Sequence, residues 1–348
     1  MRNPKVQLII GVLLSALFLY IAMREVKMAE LWAAVRTFNW WWAIPFLAIN
    51  FLSLWIRAWR WKYLMAPTAQ LGTGRLFSPM MVGFAINSLL PARAGEFARA
   101  YVLGKKEKLP YTSVFATIVV ERIFDSLTLL LLLAYVFATI QFDPSIEFKY
   151  KQVTISGESL KHMSANITKG FLVMLAAALL LLWPAARMRM QLWAENWPYA
   201  PRRFRVKIAA MIGTFAEGFA SLKSGRIIAI VLVQSMLVWV TIAWSFQIMP
   251  YGIQGMKTMD ITQATALVVI SCIAIIIPAA PGYWGLMELG IVFGLKILGI
   301  ESDPSRAIAY ALLIHGLQYF PIVAVGLYFL WREQVTIGEI SHRPQVES

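Results

Sequence analysis

Asn87-Ser88-Leu89-Leu90-Pro91-Ala92-Arg93-Ala94-Gly95-Glu96 puts Pro, Gly and a carboxylate inside an apolar run where a membrane helix should simply continue. A second stretch echoes it: Pro278-Ala279-Ala280-Pro281-Gly282-Tyr283-Trp284-Gly285-Leu286-Met287-Glu288. Pro removes a backbone donor and Gly loosens the turn, so both segments should break. Pro91 and Gly95 mark the first break; Pro278, Pro281, Gly282 and Gly285 mark the second. Broken backbone at membrane depth is tolerated only against protein or a water-lined cavity. A matched pair of interrupted apolar segments, one in each half of a chain, points to a transporter site.

The rest of the chain supports a membrane reading. It has 348 residues, of which 59% are apolar and 14% charged, with a mean hydropathy of +0.65. Apolar spans fall at about 7–23, 40–60, 113–140, 168–186, 226–249 and 306–331, with the broken segments at 75–91 and 261–299. Trp41–Trp59 would cover roughly 28 Å as a helix, close to the hydrocarbon thickness. Tryptophans at both its ends fit two interfacial belts. The expected fold is all-α, a polytopic membrane helix bundle with two broken or re-entrant segments and an inverted repeat. One membrane domain should cover 1–335, with a polar cytoplasmic tail at 336–348.

The net charge of +14 is carried mostly beside apolar spans, which argues for topology rather than nucleic acid. With the N-terminus inside, cytoplasmic segments hold 21 Lys and Arg against 10 outside, and Arg122 lies within a span. Both termini are therefore expected inside. Arg57, Arg60 and Lys62 read most simply as topology anchors. Apolar residues at spacings of three and four over 202–224 suggest an amphipathic helix on the cytoplasmic surface, and Met28–Phe38 a shorter outer one. The single cysteine, Cys272, excludes an intrachain disulfide.

Glu121, Arg122 and Asp125 lie inside the 113–140 span. At 1.5 Å per residue Glu121 sits about 12 Å deep and Asp125 about 18 Å deep, on either side of mid-bilayer. Arg122 and Asp125, three apart, can pair. A charge there costs about 2.5–3.5 kcal/mol on insertion scales, so the three imply mutual pairing or an aqueous cavity. Two readings stand: an ionic clasp between helices, or a polar substrate path. Asn87, Arg93, Glu96, Arg99 and Glu288 fall at similar depth, with His315 and Gln318 on the last span. Arg93 and Arg99 either snorkel to the cytoplasmic face or grip a phosphate. No P-loop, H-E-x-x-H or G-x-S-x-G is present, and the three histidines are scattered. The expectation is no enzyme, no metal and no cofactor.

Asn87–Glu96, Glu121-Arg122-x-x-Asp125 and Pro278-x-x-Pro281-Gly282-x-x-Gly285-x-x-Glu288, in that order, resemble one family over about residues 5–332. It is the lysylphosphatidylglycerol synthetase transmembrane-region family, also called flippase-like or UPF0104. The resemblance implies a membrane region that moves a lipid across the bilayer. It carries over Asn87, Pro91, Arg93, Gly95, Glu96, Glu121, Arg122, Asp125, Pro281, Gly282, Gly285 and Glu288. No soluble synthetase domain follows up to Ser348, so the resemblance implies the flippase-like part without the synthetase activity. The family often has Pro-Gly-Gly at the second break; here Tyr283 replaces the second Gly. The expected function is transport of a polar or anionic lipid between leaflets of a prokaryotic cytoplasmic membrane. The lipid would be an anionic or aminoacylated phospholipid or an isoprenoid lipid. A homo-oligomer and a lipid-modifying enzyme partner are compatible with this. The rivals are a membrane enzyme acting on a lipid-linked substrate and a non-transporting accessory of a lipid-modifying enzyme.

Overall fold

The computed structural model describes residues 13, 17–23, 26–90, 93–139, 147–150, 153–156, 225–275 and 281–335, with isolated residues between 169 and 205. The expected spans at 168–186 and most of 7–23, the 202–224 helix, the tail, Pro91 and Pro278 lie outside them. Among the described residues the fold is helical. The labelled helices are α1 (Met28–Arg36), α2 (Ala43–Met65), α3 (Thr73–Leu89), α4 (Ala94–Glu107), α5 (Tyr111–Thr139), α6 (Gly225–Ile248), α7 (Ile261–Ala274), α8 (Leu286–Ile297) and α9 (Pro304–Arg332). Two short antiparallel strands, Glu147–Tyr150 and Val153–Ser156, lie outside the bundle's helices. The segments Trp40–Met65, Gly225–Gly252 and Pro304–Arg332 are long and apolar enough to cross a membrane.

The first break falls where proline chemistry puts it. α3 stops at Leu89, and Leu90, the residue before Pro91, is extended at φ −117°, ψ 146°. The chain re-enters a helix through Arg93, which takes a left-handed φ of 55° and makes no side-chain cap. Asn87 supplies the missing partner: its Oδ1 accepts the Gly95 N–H at 2.7 Å. α3 and α4 then run antiparallel in very close contact. A Cβ on Gly95 would stand 1.8 Å from the Gly83 carbonyl oxygen.

The second break separates α7 from α8, which also run antiparallel, with Gly290 beside Ala274 and Gly294 beside Leu267. Its tip packs three left-handed residues into four positions: Gly282 at φ 75°, Tyr283 at 59° and Gly285 at 88°. Tyr283 thus takes a glycine-like conformation despite its Cβ, at a cost of roughly 1–2 kcal/mol. Glu288 holds the end of this tip by accepting the Gly285 N–H at 2.6 Å.

Helix α9, about 43 Å long at 1.5 Å per residue, carries both hairpins. Ser78 and Lys106, at the open end of α3/α4, bond Glu333 just past its C-terminus. Glu288 of α8 bonds His315 near its middle. The tips meet there: α3 packs against the turn Pro281–Tyr283, and the Tyr319 hydroxyl donates to the Ser88 carbonyl at 3.4 Å. The two hairpins therefore lie along opposite halves of α9.

Candidate functional site

The charged triad of α5 lies in an ionic cluster built by three helices. α2 contributes Arg57 and Arg60, and α4 contributes Arg99. Arg99 grips Glu121 with both terminal nitrogens, at 3.1 and 2.8 Å. Its guanidinium carbon lies 3.5 Å from the Trp61 ring centroid, a stacked cation–π contact. Arg60 reaches Asp125 at 2.6 Å, Glu121 at 3.3 Å and the Ser235 hydroxyl of α6 at 2.7 Å. Arg57 meets the other oxygen of Asp125 at 3.3 Å. Arg122 bridges Glu121 at 2.5 Å and Asp125 at 3.0 Å, and its Nε stands 4.0 Å from Glu96.

Four guanidiniums thus face two close carboxylates, with Glu96 at the rim. Arg60, Arg99, Glu121 and Asp125 are buried, whereas the Arg122 side chain is 32% exposed. Among the described residues the Nε atoms of Arg60, Arg99 and Arg122 make no hydrogen bond. Positive charge is therefore in excess and part of its donor capacity is unspent. That is suited to an anion with several oxygens. A pocket lined by Asn87, Glu96, Arg99 and Arg122 opens on the cluster, with a volume of about 20 Å³, enough for one water molecule.

The structure sorts the sequence candidates into groups. Glu96, Arg99, Glu121, Arg122 and Asp125 come together, and the expected pairing of Arg122 with Asp125 is present. Asn87 borders the same pocket, while Arg93 is exposed at the α3/α4 tip. Glu288 and His315 form a second buried pair, Nδ1 to Oε1 at 2.6 Å. The Trp284 ring stacks on His315 at 4.1 Å. Gln318 donates to Asn50 Oδ1 at 3.1 Å. Glu288 is fully buried and doubly bonded, to the Gly285 N–H and to His315.

The reading of Arg57 and Arg60 as topology anchors is corrected. Both point inward, and Arg60 is completely buried. Their flanking tryptophans suggested an interface, but the helical spacing carried the opposite signal. Phe46, Asn50, Ser53, Arg57, Arg60 and Leu64 recur at three and four residues and share the buried face. Lys62 is exposed.

Comparison with known proteins places this chain in a family. Residues 8–326 match the family described as lysylphosphatidylglycerol synthase TM region. The chain belongs to that family and is a membrane protein. It is 32% identical over 123 residues to a UPF0104 membrane protein of Methanothermobacter thermautotrophicus, covering 34% of this chain and 35% of that one. It is 23% identical over 245 residues to a UPF0104 membrane protein of Methanocaldococcus jannaschii, covering 69% of this chain and 91% of that one. A stretch of 56 residues is 43% identical to the glycosyltransferase AglD of Haloferax volcanii, 16% of this chain and 9% of that protein. The chain thus spans a minor part of two of these relatives. No solved structure matches.

Proposed function

We propose that this chain moves a polar or anionic lipid between the leaflets of a prokaryotic cytoplasmic membrane. The observation that carries the reading is the arginine-rich cluster, buried beside the meeting point of two broken hairpins. Arg57, Arg99 and Arg122 would meet the headgroup phosphate. Glu96, Glu121 and Asp125 would balance charge or contact an amine, and the tails would stay in lipid. In this reading the hairpins are re-entrant, enter from opposite faces and form an inverted repeat. Both termini and the 187–225 region face the cytoplasm, following the placement of Lys and Arg. A pocket sized for one water excludes a headgroup, so passage needs the α4–α5 seam to part. The contacts to be broken are Arg99–Glu121 and Arg122–Glu96. The α3–α4 contact stays shut because its glycines leave no slack.

The test is reconstitution of the purified chain in vesicles carrying fluorescently tagged phosphatidylglycerol, with dithionite quenching of the outer leaflet. Quenching beyond the outer-leaflet fraction, lost on Arg99→Gln, is the expected result. Wild-type vesicles that quench like protein-free ones for phosphatidylglycerol, its lysyl ester and a polyprenyl phosphate would end the transport reading. The likeness to a glycosyltransferase favours one second reading, a membrane enzyme or accessory acting on a lipid-linked substrate. Translocation by the purified chain alone argues against the accessory role.

A further inference from the structure

A second cavity of about 420 Å³ opens at the other end of the first hairpin, lined by Gly74, Arg75, Ser78, Lys106, Phe329, Arg332 and Glu333. It is far larger than the pocket beside the arginine cluster and shares no residue with it. We propose that this cavity binds the phosphate of an anionic headgroup, and that the Glu333 carboxylate holds the phosphate's place until the ligand arrives. The proposal concerns binding at equilibrium and does not rest on translocation.

Three observations converge. First, an anion already sits where a phosphate oxygen would. Glu333 Oε1 accepts from the Ser78 hydroxyl at 2.5 Å and from the Lys106 ammonium, and Lys106 also bonds Ser78 at 2.9 Å. Burial raises the Glu333 carboxyl, but bonds from Lys106 and Ser78 and the nearby Arg332 charge outweigh it and hold it below its usual value. The plug is therefore ionised at neutral pH. Second, the walls carry more positive charge than the plug cancels. Arg75 is drawn off by Glu107 at 3.3 Å, but Arg332 has no hydrogen-bonded or ion-paired partner among the described residues. Third, α3 begins in this cavity. Its N-cap, Gly72, offers no side-chain cap, and a Cβ on Gly74 would meet nothing within 4 Å. The positive end of a 17-residue helix is thus open to an incoming anion.

The surroundings favour a lipid as the source of the phosphate. Trp331 and Tyr328, on the last turns of α9, are exposed, as aromatic residues are at the headgroup level. Phe329 supplies an apolar wall. The volume suits a headgroup with its glycerol. A phosphate diester brings two free oxygens to the place of one carboxylate, and so can engage Arg332 as well as Lys106 and Ser78.

The test is calorimetric titration of the full purified chain in a neutral detergent. The probes are dihexanoyl phosphatidylglycerol, the zwitterionic dihexanoyl phosphatidylcholine and inorganic phosphate. Phosphatidylglycerol should bind, and more tightly than phosphatidylcholine. Arg332→Ala, at an exposed position that does not threaten folding, should weaken binding about tenfold, or ~1.4 kcal/mol. Glu333→Gln should tighten it several-fold. Inorganic phosphate binding more tightly than phosphatidylglycerol, with the same variant pattern, would assign a soluble anion to the same site. Equal affinity for phosphatidylglycerol in wild type, Arg332→Ala and Arg75→Ala would overturn the proposal. So would weaker binding by Glu333→Gln, which would make Glu333 a ligand contact rather than a plug.

Discussion

Arg60 is the residue on which the buried cluster closes. It is fully buried and joins Asp125, Glu121 and Ser235 from two other helices, while Arg122 keeps a third of its side chain exposed. Removing one partner of a buried ion pair costs about 3–5 kcal/mol, because the charge left behind stays desolvated. Arg60→Met is therefore expected to lower the unfolding temperature in detergent more than Arg122→Met, because water can reach the place that the partly exposed Arg122 side chain leaves. Equal shifts would show that the cluster is wetter than its burial implies. The Glu333 latch gives a pH prediction with a definite sign. Its carboxyl is held below the usual value of 4.5, so it contributes stability above that pH and loses it as pH falls through the depressed value. The unfolding-temperature gap between wild type and Glu333→Gln should be steady at neutral pH and close below pH 4.5. At this scale the sequence was legible in part. Glu121, Arg122 and Asp125 declare themselves because charges inside an apolar span are rare. Arg57 and Arg60 do not, because Asp125 lies 68 and 65 residues further along and their tryptophan neighbours imitate an interface.

Helices and their breaks were the most legible level, since Pro and Gly act on their own backbone. The first break opens after Leu89, within two residues of Pro91, and the arm that follows is a 14-residue helix, α4. The role of Asn87 was hidden, because its bond to Gly95 exists only once the chain has turned. The contact between Gly83 and Gly95 was hidden for the same reason. It leads to a prediction about packing rather than charge. Gly95→Ala would drive a methyl to within 1.8 Å of a carbonyl oxygen, which no rotamer can relieve. The hairpin must splay, at a cost of roughly 1–3 kcal/mol or more. Lower yield and a lower unfolding temperature are expected for Gly95→Ala, against little change for Gly74→Ala, where the space is open. An unperturbed Gly95→Ala protein would mean that the hairpin is looser than described. At the second tip, Tyr283 shows how far a tertiary setting can impose a left-handed backbone on a residue that disfavours it.

The whole molecule depends on pairings between distant segments, which periodicity does not encode. The positions of the two hairpins along α9 come from contacts such as Ser78 with Glu333 and Glu288 with His315, 255 and 27 residues apart. Orientation, in contrast, is a property of charge placement and can be tested directly. In a Cys272→Ala background, Lys257→Cys should label from outside and Lys108→Cys only after permeabilisation. The reverse pattern would invert the proposed topology. One last contact ties the halves together. Tyr319 presses on the second tip, where a Cβ on Gly282 would come within 2.6 Å of its ring. Its hydroxyl holds the first tip at Ser88. Two residues on, Pro321 leaves the Leu317 carbonyl without its helical donor, so α9 is softest where both tips lean on it. A displacement of Tyr319 would therefore be felt at both tips at once, which makes that turn the one hinge pin on which both breaks hang.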